Sequence, residues 1–162
     1  MDTVFKIVDG IKSYFYSAID TKLKFSLSLP YPKLNSFNTL EFFKKLEMVY
    51  PLAIKSVQTD NGLEFQGIFE SYLKKKQITH YFIYPRCPRI NGVIERYQRT
   101  LQEDFIDPNL YLIHQPKLFN DKLAEYLLFY NLERPHHSLG QKSPMEYLVS
   151  NGYLSQMSAT HT

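Results

Sequence analysis

Residues 3–29 read as three β-strands in succession, and this run constrains the fold more than any other part of the chain. Residues 3–8 are rich in β-branched and aromatic side chains, and Asp9-Gly10 is a hairpin turn signal. Residues 13–20, with Tyr14, Phe15, Tyr16, Ala18 and Ile19, read as the return strand. Residues 24–29 alternate strictly between polar and apolar, which buries one face and wets the other. Pro30 and Pro32 stop that strand. The period then turns helical. Ser36 or Asn38 can cap a helix to about Tyr50, with Phe37, Leu40, Phe43, Leu46 and Val49 on one side. A short strand at 54–59 follows. Phe65, Ile68, Phe69, Tyr72 and Leu73 then match the spacing of an amphipathic helix. Residues 78–83 read as a fifth strand, and 84–90, with two prolines, as a loop. Asn91-Gly92 opens a helix whose stripe is Ile94, Tyr97, Leu101 and Phe105. A last helix at about 117–130 buries Phe119, Leu123, Tyr126, Leu127 and Tyr130. A meander followed by helix crossovers gives an α/β fold. Its expected core is a five-stranded mixed sheet, three antiparallel strands then two parallel, flanked by helices. A right-handed crossover lays the fourth strand beside the first.

The chain of 162 residues is long enough for one domain with a real core, expected over 1–150 and followed by a polar tail at 151–162. With 44% hydrophobic and 22% charged residues it reads as neither disordered nor membrane-spanning. No segment approaches the roughly 18 apolar residues of a spanning helix, and the start lacks the pattern of a signal peptide. One cysteine, Cys87, allows no internal disulfide and fits a reducing cytoplasm. The net charge is only +3, but residues 84–101 hold Arg86, Arg89, Arg96 and Arg99 against Glu95 alone (4 − 1 = +3). A local basic patch of this kind suits a polyanionic substrate.

Three acids stand at the ends or openings of elements. Asp2 lies on the first strand, Asp60 at the carboxyl end of the fourth, and Glu95 in the first turn of the helix after the loop. Between Asp60 and Glu95 lie 34 residues (95 − 60 − 1). Hard divalent cations such as Mg²⁺ take oxygen ligands and are held by a few carboxylates plus substrate phosphates. In open α/β sheets, ligands lie beyond the carboxyl ends of strands. A turn centred near Gly10-Ile11 pairs Asp2 with about Ile19 or Asp20, which puts Asp20 close to Asp2 as a supporting acid. Taken singly, each acid has a plainer role: Asp60 before Asn61-Gly62 forms a turn, Glu95 stabilises a helix N-terminus, and Asp2 is a polar residue near the terminus.

The ordered motifs carry a resemblance. Thr59-Asp60-Asn61-Gly62-Leu63-Glu64-Phe65 is similar to a TDNGxEF pattern. Tyr84-Pro85-Arg86-Cys87-Pro88 followed by Asn91-Gly92-Val93-Ile94-Glu95-Arg96 resembles a P-x-x-P-x-x-NG-x-x-ER segment. Tyr130-Asn131-Leu132-Glu133-Arg134-Pro135-His136-His137-Ser138-Leu139 is similar to YN-x-x-RPH-x-SL. Together with Asp2-Thr3-Val4 and Ala18-Ile19-Asp20, they resemble the catalytic core of retroviral-type integrases and insertion-sequence transposases, over about residues 2–150.

The resemblance implies an RNase H-like fold. It implies a D-D-E triad of Asp2, Asp60 and Glu95 holding two Mg²⁺ or Mn²⁺ ions, for DNA cleavage and strand transfer in transposition or integration. It also implies transposon ends and target DNA as partners, a homo-oligomer on DNA, and work in the cytoplasm at the nucleoid. Arg99 resembles a basic contact to the DNA end, with Arg86, Arg89 and Arg96 as further DNA-binding residues and Asn61, Gly62 and Asn91 in support. The family usually has 35 residues where this chain has 34. Only Met1 precedes Asp2, so the expected first strand is short and no upstream helix-turn-helix is expected. That leaves a second reading, an inactive transposase fragment that binds DNA without specificity or interferes with a full-length transposase. His136-His137 does not read as zinc-binding, because no partner pair lies at finger spacing.

Overall fold

A computed structural model describes residues 1–83 and 88–154. Strands β1 (Asp2–Val8), β2 (Ile11–Ile19) and β3 (Ser26–Tyr31) form the antiparallel meander in the order β1-β2-β3. The β1–β2 turn has Asp9 at φ 49° and Gly10 at φ 79°, the double positive φ that two-residue hairpin turns favour. Helix α1 (Ser36–Val49) leads to β4 (Ser56–Thr59). A 3₁₀ turn at Leu63–Phe65 and helix α2 (Ile68–Lys75) then lead to β5 (Thr79–Phe82), which pairs parallel with β4. Helix α3 (Pro88–Leu101) runs on through a π turn at Gln102–Ile106 into α4 (Asp107–Asn109). Two further helices, α5 (Pro116–Leu132) and α6 (Pro144–Ser150), complete the described fold. The expected three antiparallel and two parallel strands are present as two hydrogen-bonded ladders. They meet where the Met1 α-amino group donates to Gln58 O at 2.6 Å, which puts the start of β1 beside β4.

Two apolar cores sandwich the sheet. Phe15 and Tyr16, neighbours on β2, are both fully buried and point to opposite faces. Phe15 joins Ile94, Tyr97, Leu101, Phe105, Leu123 and Leu127 on the side of α3 and α5. Tyr16 joins Phe42, Phe43, Leu46, Phe65, Phe69 and Leu73 on the side of α1 and α2. The expected stripe of α3 is the buried one: Ile94, Tyr97, Leu101 and Phe105 are all under a tenth exposed.

Several expectations need correction. On α1, Phe37 is 64% and Val49 51% exposed, while Asn38, Thr39 and Phe42 face inward. The polar pair can turn inward because it has local partners: Asn38 Nδ2 donates to Lys33 O at 2.8 Å and Thr39 Oγ1 to Asn35 O at 3.1 Å. The cap is Asn35, which accepts from Asn38 N. The helix expected from Phe65 is interrupted at Gly67, whose φ of 64° ends the 3₁₀ turn before α2 begins, and Ile68 is left half-exposed. Residues 88–90, expected in a loop, belong to α3, and Asn91-Gly92 lies within that helix rather than at its start. Residues 84–87 of that expected loop, with Arg86, and residues 155–162 of the expected polar tail lie outside the described residues. Helix α6 was not anticipated. Ser143 caps it through a reciprocal box, its Oγ accepting from Glu146 N while Glu146 Oε2 accepts from Ser143 N.

Candidate active site

The register of the hairpin sets the first acid. Asp2 lies opposite Ser17, not Ile19 or Asp20. The turn centres on Asp9-Gly10, because Val8 and Ile11 form the last pair, and this one-position shift moves Asp20 out of the ladder. Asp20 is engaged elsewhere. Its Oδ1 accepts from Lys22 N and Leu23 N at 2.7 Å each, and its Oδ2 from Tyr50 Oη at 2.5 Å. It closes the turn after β2 and does not face Asp2 across the strands.

Asp60 follows β4 directly. Its Oδ1 accepts from Gly62 N at 2.9 Å, so Asp60-Asn61-Gly62 forms an Asx turn. Asp2 Oδ1 likewise accepts from Thr3 N at 2.7 Å. Each carboxylate thus keeps a second oxygen for another ligand. Burial, and then the nearby Asp60 charge, push the Asp2 carboxyl above its ordinary range. Carboxylates 58 positions apart (60 − 2) are therefore electrostatic neighbours. A repulsion of this kind is what a shared cation relieves, and the oxygen donors fit a hard divalent ion.

Glu64 belongs to the same neighbourhood. Burial, then Asp60, then Asp2 push its carboxyl up. Gly62 makes room for it: a Cβ at Gly62 would lie 2.4 Å from Glu64 Oε2. The reading from sequence gave Glu64 no role, although it stands in the motif that carries Asp60.

Helix α3 reaches Asp2 through Gln98. Gln98, 5% exposed, turns its side chain toward the Asp2 carboxylate and favours the ionised form. The contact is looser than an ordinary hydrogen bond, since Nε2 has no partner within bonding distance. Glu95 and Arg99 stand on this same helix, three positions before Gln98 and one after, and both are exposed, as is Arg96. Arg89 and Asn91 lie on the first turn of α3. Among the described residues no three Asp, Glu, His or Cys side chains stand close enough to hold one ion. The structure therefore brings Asp2 and Asp60 together, with Glu64, and leaves Glu95 on the solvent side of α3.

A buried row of hydroxyls fixes α3 against the sheet. Ser17, opposite Asp2, shares a hydrogen with Ser28 at 2.8 Å, and Ser28 shares one with Tyr97 Oη at 2.9 Å. Burial pushes the Tyr97 hydroxyl up to about 12, so it stays protonated. Tyr97→Phe removes one end of this row and is expected to lower stability by about 1–2 kcal/mol in urea denaturation. A loss too small to resolve would show that the row does not anchor the helix. Beyond α3, Asn131 on α5 exchanges two 2.9 Å bonds with the backbone of Ser26. Arg134 binds Asp104 Oδ2 at 2.6 Å and lies over the Tyr130 ring, which His136 meets edge-on. The Arg-Pro-His segment thus packs on the end of α5. A cleft of about 530 Å³ lies beside Met1, between the end of β2 and β4, lined among others by Asp20, Tyr50, Val57 and Ile94. Among the described residues no helix is long and apolar enough to cross a membrane.

Residues 76–144 match the integrase core domain family. The ORF3 protein of Spiroplasma virus SpV1-C74, named as an integrase, is 32% identical over 161 residues, covering 86% of this chain and 42% of that protein. A 39.2 kDa protein of insertion element IS476 from Xanthomonas euvesicatoria is 28% identical over 98 residues, covering 59% of this chain and 28% of that protein. The chain thus spans less than half the length of these curated relatives. Among solved structures, the HTLV-2 integrase catalytic core domain in complex with magnesium superposes with a TM-score of 0.72 at 18% identity, covering 90% of this chain and 91% of that one. The BIV integrase catalytic core domain gives 0.69 at 21% identity, covering 94% and 95%. The mixed sheet flanked by helices is the RNase H-like arrangement of those cores. Family match, relatives and fold agree: the chain has the fold of the integrase catalytic cores, and its residues 76–144 match the integrase core domain.

Proposed function

We propose that the chain performs metal-dependent phosphodiester cleavage and strand transfer in DNA transposition or integration. The observation that supports this reading is that the Asp2 end of β1 lies beside the end of β4 that leads into Asp60, so that two carboxylates stand near one another with oxygen donors suited to a hard cation. In this reading residues 1–150 are the catalytic unit. Asp2, Asp60 and Glu95 would hold two Mg²⁺ or Mn²⁺ ions. Bound ions would activate a water or a DNA 3′-hydroxyl and neutralise the leaving oxygen. The protein's part is to hold and orient. The backbone amides of Thr3 and Gly62 fix one oxygen of each aspartate and so aim the other. Arg96 and Arg99 on the exposed side of α3, with Arg89 and Arg86, bind the DNA backbone and hold the scissile phosphate in line. Asn61, Gly62 and Asn91 shape the two segments that carry the acids. The substrates are transposon ends and target DNA, bound by assembled copies of the chain at the nucleoid in the cytoplasm.

The test is end-labelled double-stranded DNA incubated with the protein and Mn²⁺ or Mg²⁺. Nicked and joined products are expected with either ion and none in EDTA. Products that persist in EDTA, or none at any metal concentration, would end the reading.

A further inference from the structure

The end of β4 that carries Asp60 is held by a second polar connection, reaching in from β5. Thr59 is fully buried, and its Oγ1 donates to Asp60 O at 2.8 Å. The same oxygen lies 2.9 Å from His80 Nε2. A hydroxyl has one hydrogen, and here it is given to Asp60 O. Toward His80 the oxygen can only accept, so Nε2 carries the ring proton and Nδ1 is the unprotonated nitrogen. Nδ1 is buried with no protein partner among the described residues. The ring cannot easily turn over. Phe69 meets it edge-on at 5.7 Å, and Phe82 lies 4.1 Å from its centroid. Burial lowers its pKa below the ordinary imidazole range, in keeping with a neutral ring.

We propose that His80 is a positioning residue for Asp60. It donates from Nε2 to Thr59, which locks the Asp60 carbonyl, and the Asx turn to Gly62 N then sets the direction of the carboxylate. The relay needs a donor at the Nε2 position. An aromatic ring of the same size would fill the space between Phe69 and Phe82 without holding Thr59. This inference rests on the reading of Asp60 as a metal ligand, but it has a readout that involves no metal.

The variants are His80→Phe, which keeps the packing, and His80→Gln, whose amide nitrogen can donate from a similar reach. Nitrogen-15 NMR of the wild-type protein at neutral pH is expected to show His80 as the Nε2–H tautomer. The Gly62 amide is expected to exchange faster with solvent in His80→Phe and to recover in His80→Gln. Mn²⁺ affinity, read by electron paramagnetic resonance, is expected to fall about tenfold in His80→Phe and to return to within about threefold in His80→Gln. An Nδ1–H tautomer would overturn the proposal, and so would unchanged Gly62 exchange in a folded His80→Phe protein. A wild-type protein that binds no Mn²⁺ yet shows the expected tautomer and exchange pattern would remove the metal reading and leave the positioning of Asp60 standing. Exchange that changes in His80→Phe but does not recover in His80→Gln would reduce His80 to a core aromatic.

Discussion

Replacing Glu95 with glutamine is expected to cut metal-dependent DNA nicking by about 10³-fold or more. A divalent ion contributes several kcal/mol of transition-state stabilisation, and each 1.36 kcal/mol is about tenfold in rate. Glutamine keeps the length of the side chain and loses the charge that would hold the ion in the proposed site. Glu95 is exposed on α3 and supports no packing, so the thermal midpoint should stay within about 1–2 °C. The comparison that gives this result meaning is Glu64→Gln. Both acids are candidates for the third oxygen donor: Glu95 by its place in the motif, Glu64 by its place beside Asp60 and Asp2. In the reading proposed here, Glu64→Gln changes nicking by less than about tenfold. The reverse pattern, a silent Glu95→Gln and an inactive Glu64→Gln, would move the third ligand to Glu64 and sink the assignment of Glu95.

The fold was legible where one physical signal dominates. The strict alternation of residues 24–29 and the Asp9-Gly10 turn gave the meander. The stripe of Ile94, Tyr97, Leu101 and Phe105 placed the inner face of α3 correctly. Reading failed where polar residues find local partners. Asn38 and Thr39 bond backward to the chain and turn inward, so the apolar count placed Phe43 and Leu46 on the inner face of α1 but wrongly added Phe37 and Val49 at its ends. The Ser143-Pro144-Met145-Glu146 box that opens α6 is itself a capping signal in the sequence. For the candidate site, order along the chain points to Asp2 and Asp60, which the fold brings near one another. A register shift at the hairpin, which sequence fixes only to within a residue or two, was enough to misplace Asp20. The contacts of Gln98 with Asp2 and of His80 with Thr59 depend on how α3 and β5 lie on the sheet. No local pattern encodes either.

Asp2→Asn is expected to raise the stability of the metal-free protein while abolishing activity. The folded protein holds the Asp2 carboxyl above its ordinary pKa, through burial first and the Asp60 charge second, so folding disfavours the ionised form. The sign follows from linkage: the stability associated with this group is fully present below the unfolded value, about 4, and is lost as pH rises through the folded value. Above that folded value the wild-type protein carries the loss. Asparagine cannot ionise, and its side-chain oxygen can still accept from Thr3 N, so that bond survives. A gain of about 0.5–2 kcal/mol is expected at pH 7.5, the range typical when a strained functional group is removed. For a chain of this size that is about 2–4 °C per kcal/mol. The gap to wild type should close as pH falls below about 4. Mg²⁺ should reverse the order: it stabilises only a protein that binds it, so wild type rises with ion concentration and Asp2→Asn does not. Nicking by the variant should fall about 10³-fold or more, as for Glu95→Gln. Thermal melts at pH 7.5 and pH 4, with and without Mg²⁺, decide the matter. A variant that melts below wild type at pH 7.5 without metal, or that gains as much from Mg²⁺ as wild type does, would show that Asp2 is not a charge held in waiting for a cation.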